Sequence, residues 1–390
     1  FFPSVSAGWQ IAQERFMNST RHWLDGLKLR ASYGVIGNQN INPYTFTPSM
    51  SVNNKATSWI IDDTYVTSIS SLPALVSQNF TWEKVGTINV GLDVNLFNNR
   101  LSGVFEWYQR NTNGMLAPGV QLPAVVGASA PYQNTADMRT RGWELSLNWR
   151  DQIGKVGYRI GFNLSDYKSE IIKYDDNAAT KLLSSYYPGQ TLGEIWGYVV
   201  DGYYTVDDFV DTSSWQLKEG VTSINGYNVR PGDVKFKNLR DDDTSTNVIT
   251  SGDNTFDNPG DRKVIGNTTP RYQYGINLGM NYAGFDLNVI LQGTGKRDYW
   301  ISNVLTFPMN GDNFVPLFEG LSDYWMPKDP DNGDWSAVNP NAKYPRIYGN
   351  RGNSGSNLRQ SDKYLSDASY LRIKNITLSY NCLLYTSDAA

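Results

Sequence analysis

The stretch RYQYGINLGMNYAGFDLNVILQ, residues 271–292, carries the most regular pattern in the sequence. Apolar or aromatic side chains occupy every second position of its first half, with polar residues or glycines between them. This alternating set is Tyr272, Tyr274, Ile276, Leu278, Met280 and Tyr282. A period of two places one set on each face of a β-strand, and Ala283-Gly284 then turns the chain into a second alternating run. The stretch therefore predicts a long β-hairpin whose apolar face needs either a protein core or lipid along its whole length.

The same alternation recurs along the chain and predicts roughly nine strands. Besides the hairpin, the predicted strands cover residues 4–11, 27–34, 88–96, 101–110, 142–150, 156–164 and 369–380. The apolar phase shifts between Ile373 and Ile376, which predicts a β-bulge near Lys374-Asn375. The predicted long connections cover residues 35–80, 111–139, 166–269 and 293–367.

Tight turns and long connections alternate along the chain. In an up-and-down barrel this order places all tight turns at one rim and all long loops at the other, as in outer-membrane barrels. A soluble β-sandwich usually has short connections at both ends. Trp143 and Trp149 end one apolar stripe, and Tyr272 and Tyr282 end another, which favours an aromatic girdle. The alternative is that Tyr and Trp are here ordinary β-formers.

The composition narrows the classes of function. Only 18% of the residues are charged and 40% are hydrophobic, and the sequence contains no apolar run of about 18 residues that would predict a membrane-spanning helix. The net charge of −4 argues against a nucleic-acid surface. Cys382 is the single cysteine and His22 the single histidine, which argues against Cys/His zinc sites and Cys/His nucleophile pairs.

Several stretches resemble the SusC/RagA family of TonB-dependent outer-membrane transporters, and they occur in the family's order. They are FFPSVSAGW (1–9), LKLRASYGVIGNQNINPY (27–44), GWELSLNW (142–149), GEIWGYVVDGYY (193–204), RPGDVKFKNL (230–239), VIGNTTPRYQYGINLGMNYAGFDLNVILQG (264–293) and SDASYLRIKNITLSY (366–380). The resemblance implies an all-β, transmembrane antiparallel up-and-down barrel with long extracellular loops. In the family such a barrel has about 22 strands and is closed by a plug.

The resemblance also implies a function. It suggests active import of bulky nutrients, such as oligosaccharides or peptides, across the outer membrane of a Gram-negative bacterium. TonB would act through an N-terminal plug region, and a SusD-like surface lipoprotein would cover the loops. Residues 1–381 are expected to form part of the barrel, without the plug and early strands. Residues 382–390, CLLYTSDAA, do not continue the family pattern and are expected to be a non-native tail, the alternative being a divergent strand start.

Candidate site residues lie in the long loops. Flat aromatic faces suit sugar rings, so loop aromatics are the candidates for contact with substrate or lid: Trp196, Tyr198, Tyr203, Tyr204, Trp300, Trp325 and Trp335. The alternative for each is loop packing. A structural Ca²⁺ in the loop after Arg230 is a second hypothesis, since carboxylate oxygens suit a hard cation. Its candidate ligands are Asp241, Asp243, Asp257 and Asp261.

The sequence shows no catalytic constellation, and the loop carboxylates are interpreted as a solvated acidic surface. The main hypothesis is therefore a transporter rather than an enzyme, with no cofactor. Two alternatives stay open. One is a passive porin or adhesin barrel, and the other is a soluble β-rich carbohydrate-active enzyme.

Overall fold

The computed structural model describes residues 2–39, 81–240, 247–301, 318–348 and 355–381, with isolated residues and short pairs between 47 and 77. Nine strands form one sheet in which neighbours along the chain are also neighbours in space, and every pair is antiparallel. They are β1 (Ser4–Gln10), β2 (Leu24–Asn38), β3 (Glu83–Leu96), β4 (Leu101–Pro118), β5 (Tyr132–Ile153), β6 (Val156–Tyr174), β7 (Arg271–Tyr282), β8 (Phe285–Lys296) and β9 (Tyr370–Tyr380). The prediction of an all-β, antiparallel, up-and-down sheet is confirmed.

The strand register builds one continuous apolar face. Ile160 on β6 lies opposite Trp149 on β5 and Leu278 on β7. Leu278 in turn lies opposite Val289 on β8, which lies opposite Ile376 on β9. These side chains stay accessible on interior strands, since Leu278 is 37% and Ile160 45% exposed. Soluble proteins rarely expose apolar surface on this scale, so the face is suited to lipid.

The height of the apolar face fits a bilayer. From Tyr272 to Tyr282, ten steps of about 3.3 Å span ~33 Å along the strand. A strand tilt of about 40° reduces this to ~25 Å, the height of the apolar band in outer-membrane barrels. Aromatic rings gather at the tight-turn end of the band, where the Phe285 and Tyr380 ring centroids are 4.6 Å apart and Trp149 Nε1 donates to Tyr158 Oη at 3.3 Å.

The opposite face of the sheet is polar and holds the ionic groups. Arg30 Nη2 lies 2.8 Å from an Asp93 carboxylate oxygen and 2.7 Å from one of Glu106. Arg372 Nη2 donates to Gln292 Oε1 at 3.1 Å near the other edge of the sheet. Charges on one face and exposed apolar side chains on the other match a wall between lipid and a hydrated interior.

The tight turns lie where the alternation predicted them. Asn98 and Asn99 both have φ near +60°, a conformation that asparagine tolerates better than most residues. Ala283 and Gly284 turn β7 into β8, also with positive φ. The bulge predicted near Lys374-Asn375 is confirmed, because Ile290 pairs with Asn375 while Leu291 pairs with Ile373.

All four predicted long connections begin too early, because β2 continues to Asn38, β6 to Tyr174 and β8 to Lys296, and the connection over 111–139 is shortened from both ends. β4 continues to Pro118 and β5 begins at Tyr132. Paired residues such as Asn111 with Arg139 and Leu116 with Asn134 keep the strands together there. The apolar alternation fades in this part because both faces of the extension are largely polar, while the backbone ladder continues. A second departure is Tyr272, whose φ of +53° interrupts the extended backbone at the start of β7.

The described parts of two long connections, which run over residues 175–270 and 297–369, build a folded domain at the loop rim. Its short strand pairs are Glu194–Tyr198 with Arg262–Asn267, Val200–Tyr203 with Val234–Phe236, Ser223–Ile224 with Val248–Ile249, Asp298–Trp300 with Leu365–Asp367, and Pro327–Asp329 with Asp334–Ala337. We call this part of the molecule the outer-loop domain.

The remaining elements are short. Two-residue strands pair Val52–Asn53 with Ile69–Ser70 and Ile60–Ile61 with Thr64–Tyr65. The 3₁₀ turns are Ile11–Gln13, Arg15–Thr20, Ala124–Val126, Asp175–Asn177, Val206–Asp208, Glu319–Leu321, Pro330–Asn332 and Asp362–Tyr364. None of the helices in the described ranges has the length and apolar character to cross a membrane.

Candidate binding site in the outer-loop domain

The two long loops fold together rather than separately. Tyr203 Oη from the first loop donates to the Ala342 carbonyl oxygen of the second at 2.9 Å. The backbone N–H of Tyr198 donates to the Gln360 carbonyl oxygen at 2.9 Å, and that of Val200 to Asp362 Oδ1 at the same distance. Because these bonds join residues far apart in sequence, each loop holds part of the other in place.

A buried carboxylate is the centre of this contact. Asp233, 1% exposed, accepts hydrogen bonds from Tyr348 Oη at 2.6 Å and Asn357 Nδ2 at 2.9 Å, both from the second loop. The backbone N–H of Arg230 supplies a third bond at 2.8 Å. Burial raises the pKa of Asp233, and the three hydrogen bonds and the nearby Arg346 offset part of that rise. The carboxylate therefore ties the loops together at the cost of its own desolvation.

Glycine is required beside this carboxylate. Gly232 has φ of +90°, and a Cβ there would lie 2.2 Å from the Trp325 ring. Its backbone also carries a loop–loop bond, since the Arg346 N–H donates to the Gly232 carbonyl oxygen at 2.8 Å. A side chain at position 232 would strain the backbone and displace Trp325 at once.

The interior of the domain is aromatic. Tyr204 and Phe236 are 0% exposed and pack with Phe209, Ile224 and Ile249 in one cluster. Burial raises the pKa of Tyr204, whose hydroxyl donates to the Thr222 carbonyl oxygen at 2.7 Å. A second cluster contains Leu321, Tyr344 and Tyr364. The domain thus has its own core, unlike an ordinary surface loop.

A cavity of about 630 Å³ opens between the two loops. Trp196 and Tyr198 line it from the first loop, together with Arg262, and Arg359 and Gln360 line it from the second. The volume lies within the range typical of small-ligand sites, roughly 300–1,000 Å³. Two arginines and two aromatic rings beside polar groups give it the character of a binding site rather than of a packing defect.

The structure distributes the predicted aromatic candidates over different environments. Trp196 and Tyr198 line the cavity. Tyr204 and Trp325, the latter 3% exposed, lie in the interior. Trp335 packs edge-on against Trp215 with centroids 5.0 Å apart, and the Arg346 guanidinium carbon lies 4.9 Å from its ring centroid.

The two remaining aromatic candidates lie near the second cluster. Tyr203 is half-buried and bonds to the second loop, and Trp300 packs against the Leu321 cluster. Together with the interior positions of Tyr204 and Trp325, this leaves Trp196 and Tyr198 as the two predicted aromatics that share a cavity.

The predicted calcium ligands are only partly within the described residues. Asp241 and Asp243 lie outside them. Asp261 is 0% exposed, and its carboxylate accepts backbone N–H bonds from Leu239 at 2.9 Å and Thr250 at 2.7 Å. Asp257 is exposed and lies 3.4 Å from Lys181 Nζ. Within the described ranges, the structure groups no three acidic, histidine or cysteine side chains around a common point, and the calcium site stays a prediction.

The sequence predicted the two cavity aromatics but missed the two arginines. Arg262 follows Asp261 at the start of a short strand, and Arg359 lies in the polar stretch NLRQ. Neither stands in a periodic or recognisable pattern. They meet only because the second loop folds back over the first, so no local signal could have joined them.

Sequence comparison finds similar proteins over nearly the whole chain. The chain is 28% identical over 399 residues to "TonB-dependent receptor P3" of Formosa agariphila, covering 98% of this chain and 35% of that protein. It is 26% identical over 391 residues to "TonB-dependent receptor SusC" of Bacteroides thetaiotaomicron, covering 97% of this chain and 34% of that protein. The chain therefore spans about a third of the length of these relatives. No protein-family model matches it.

Structure comparison gives the same fold. The RagAB peptide importer in its "open-open" state matches with a TM-score of 0.69 at 23% identity, over 97% of this chain and 36% of that one. The "closed-closed" state matches with a TM-score of 0.68 at 24% identity. The chain has the β-barrel fold of TonB-dependent receptors, and the resemblance to the SusC/RagA family indicated by its motifs is confirmed.

Proposed function

We propose that this chain forms part of the barrel wall and outer loops of a TonB-dependent transporter that imports bulky nutrients across an outer membrane. The substrate class is an oligosaccharide or a peptide, and the chain binds and admits the substrate without transforming it. The proposal treats the chain as a segment of a longer receptor, because it spans only about a third of its relatives.

The observation that carries the proposal is the division of the sheet into two faces. Apolar side chains such as Leu278 and Met280 are exposed on one face, while the Arg30, Asp93 and Glu106 cluster lies on the other. In water such a sheet would aggregate through its apolar face. In a bilayer the same face is solvated by acyl chains, and the polar face lines a path for hydrophilic cargo.

The connections give the wall its orientation. Tight turns such as Phe97–Arg100 and Ala283-Gly284 lie at one end of the sheet, and the outer-loop domain lies at the other. In outer-membrane barrels the short turns face the periplasm. This orientation presents the loop domain and its cavity to the cell surface, where cargo and a SusD-like lipoprotein would meet it.

The energy for import would come from TonB acting on a plug domain in the complete receptor. The wall then has two tasks, which are to hold the polar path open and to display the loops. Loops on a rigid scaffold are the usual location of binding residues. The folded core of the outer-loop domain suits a pre-formed binding surface.

Uptake by the complete receptor that contains this segment provides the test. The receptor is produced in outer membranes of isogenic cells with and without TonB, and entry of fluorescent oligosaccharides and peptides is measured. We expect uptake of at least one class in the cells with TonB and none above background in the cells without it. Equal uptake in both strains would indicate a passive porin, and hydrolysis of the cargo by the purified receptor would indicate an enzyme.

A further inference from the structure

The cavity between the two loops carries an unbalanced positive charge. Arg262 and Arg359 both line it, and its lining contains no aspartate or glutamate. Among the described residues, no carboxylate lies within 4 Å of either guanidinium group. A half-enclosed space with two cations and no anion is suited to an anionic ligand.

Arg359 is held in place without its hydrogen-bonding capacity being used. Its guanidinium carbon lies 5.3 Å from the Tyr198 ring centroid and 5.2 Å from that of Tyr227. These cation–π contacts fix the group, and within the described part of the chain its guanidinium donates no hydrogen bond. A guanidinium presents five N–H donors in a plane that matches a carboxylate in two-bond geometry, so Arg359 is ready to bind one.

Arg262 has a different task. Its Nη1 donates to Asn254 Oδ1 at 2.9 Å and its Nη2 to the Ser251 carbonyl oxygen at 2.8 Å. Its Nε donates to the Pro259 carbonyl oxygen at 3.0 Å. All three acceptors are neutral, so the arginine shapes the loop that forms one wall of the cavity while its charge remains uncompensated.

Trp196 supplies a fixed apolar surface beside these charges. Its Nε1 donates to Glu194 Oε1 at 2.7 Å, and its ring packs edge-on against Phe256 with centroids 6.2 Å apart. The same carboxylate accepts a hydrogen bond from Tyr187 Oη and a weaker one from the Thr191 N–H at 3.3 Å. Glu194 is thus engaged by three donors and is not among the residues that line the cavity. The buried Asp261 carboxylate, which accepts from the N–H of the lining residue Thr250, is likewise engaged by backbone N–H groups and absent from the lining.

We infer that this cavity binds an acidic sugar unit, with the sugar carboxylate on Arg359 and a face of the sugar ring against Trp196. The polar side chains of Asn225, Thr250, Ser251 and Gln360 also line the space, and such groups suit a ligand rich in hydroxyls. The volume of about 630 Å³ accommodates one or two sugar units. This inference rests on the proposed function, because it takes the outer-loop domain as the surface that meets cargo, and it narrows the cargo to uronate-bearing oligosaccharides.

Binding to the complete purified receptor in detergent tests the inference without TonB or transport. The probes are tetragalacturonate, maltotetraose as a neutral sugar of the same length, and a tetrapeptide as free acid and as amide. Calorimetry measures each Kd at fixed ionic strength. We expect tetragalacturonate to bind at least tenfold more tightly than maltotetraose, and Arg359→Gln to remove that preference.

Two further variants separate recognition from structure. Arg359→Lys keeps the charge but loses the planar geometry, and should retain only part of the preference. Arg21→Gln removes an exposed arginine from the short connection between β1 and β2, at the tight-turn end of the sheet and outside the cavity, and should leave the preference unchanged. If Arg359→Gln fails to fold, the comparison of probes on the unaltered receptor still decides the question.

Each result supports or overturns the assignment. Equal Kd values for the acidic and neutral sugars, or binding of neither, would overturn it. Tight binding of the peptide acid without binding of the sugar acid would reassign the cavity to a peptide carboxylate. TonB-independent uptake would overturn the proposed function and leave a charge-dependent sugar site intact, so the two failures are distinguishable.

Discussion

The barrel wall exposes apolar side chains on its outward face, whereas the outer-loop domain buries apolar side chains in its interior. In the wall, Met280 is 47% and Ile160 45% exposed, while charged groups such as Arg30 lie on the other face. In the loop domain, Tyr204 and Phe236 are fully buried in an aromatic core. The proposed function explains the difference by two solvents, with lipid around the wall and water around the loops. The same kind of substitution should therefore have different consequences in the two regions.

Truncating a large aromatic side chain should give the largest contrast. Phe236→Ala leaves a cavity in the loop core and should cost about 3–5 kcal/mol of loop-domain stability. Phe105 lies on the outward face of the wall and is 43% exposed. Because acyl chains can fill the space that Phe105→Ala leaves, this substitution should cost only about 1–2 kcal/mol of stability. Urea unfolding in lipid vesicles, followed separately by near-UV circular dichroism and by protease protection of the loops, measures both. A larger loss of stability for Phe105→Ala than for Phe236→Ala would contradict the conclusion that Phe105 faces lipid and Phe236 lies in a protein core.

Introducing a charge should distinguish the two faces of the wall itself. Ile276→Arg places a cation in the apolar band and should cost roughly 2–4 kcal/mol, whereas Asn277→Arg, on the polar face, should cost little. The equilibrium of folding into vesicles measures both variants in the complete receptor. Equal tolerance at the adjacent positions would show that the faces have been assigned the wrong way round.

Removing one hydrogen bond from the loop contact should have a smaller effect. Tyr348→Phe deletes the 2.6 Å bond to the buried Asp233 and should reduce loop-domain stability by about 1–3 kcal/mol. Tyr186→Phe, at a side chain 50% exposed in the first loop, is the control and should stay within about 0.5 kcal/mol. Hydrogen exchange of loop amides reports the difference. Protection that is unchanged in both variants would mean that the Asp233 contact does not stabilise the domain.

The smallest expected effect is a change in the stability of the loop domain with pH. Burial raises the pKa of Asp233 in the folded state. Asp233 therefore contributes most favourably to the stability of the loop domain at pH values where its carboxyl is protonated in both the folded and the unfolded state. This contribution declines as pH rises through the raised pKa of the folded state. We expect the melting temperature of the loop domain, minus that of the Asp233→Asn variant, to decrease as the pH rises from 4 to 7.

That measurement has an internal control. The exposed Asp211 and Asp253 have pKa values lowered by hydrogen bonds from neighbouring serine and threonine residues. Their contributions have the opposite sign, and they cancel in the difference because both proteins contain them. A relative melting temperature that rises with pH would show that hydrogen bonds to the ionised carboxylate outweigh its desolvation.

The wall could be predicted from the sequence because its physical signal is local. A two-residue period followed from the lipid on one face, and it located the strands, the turn at Asn98-Asn99 and the bulge at Lys374. The prediction failed where β4 and β5 extend past the apolar band. In these extensions, backbone hydrogen bonds that depend little on the side chains keep the strands paired. The side chains therefore show no alternation from which the strands could be predicted.

The loop domain could not be predicted in the same way. Its core depends on contacts such as Tyr203 with Ala342 and Val234 with Asn357, which join positions more than a hundred residues apart. Aromatic richness indicated that the loops carry binding or packing residues, and two of the seven candidates line the cavity. Which aromatics are buried, and that Arg359 joins them, depends on how one loop folds over the other.

The Asp233 carboxylate, which the two loops share, has a consequence for how the loops can be exchanged between proteins of this fold. The first loop contributes the acid, and the second contributes Tyr348 and Asn357 to satisfy it. A graft that replaced the second loop alone would remove two of the three hydrogen bonds and leave the buried Asp233 with the Arg230 N–H, a cost of about 1–3 kcal/mol for each unsatisfied acceptor. The two loops and the β7–β8 hairpin between them should therefore retain this contact only when residues 175–369 are exchanged as one unit.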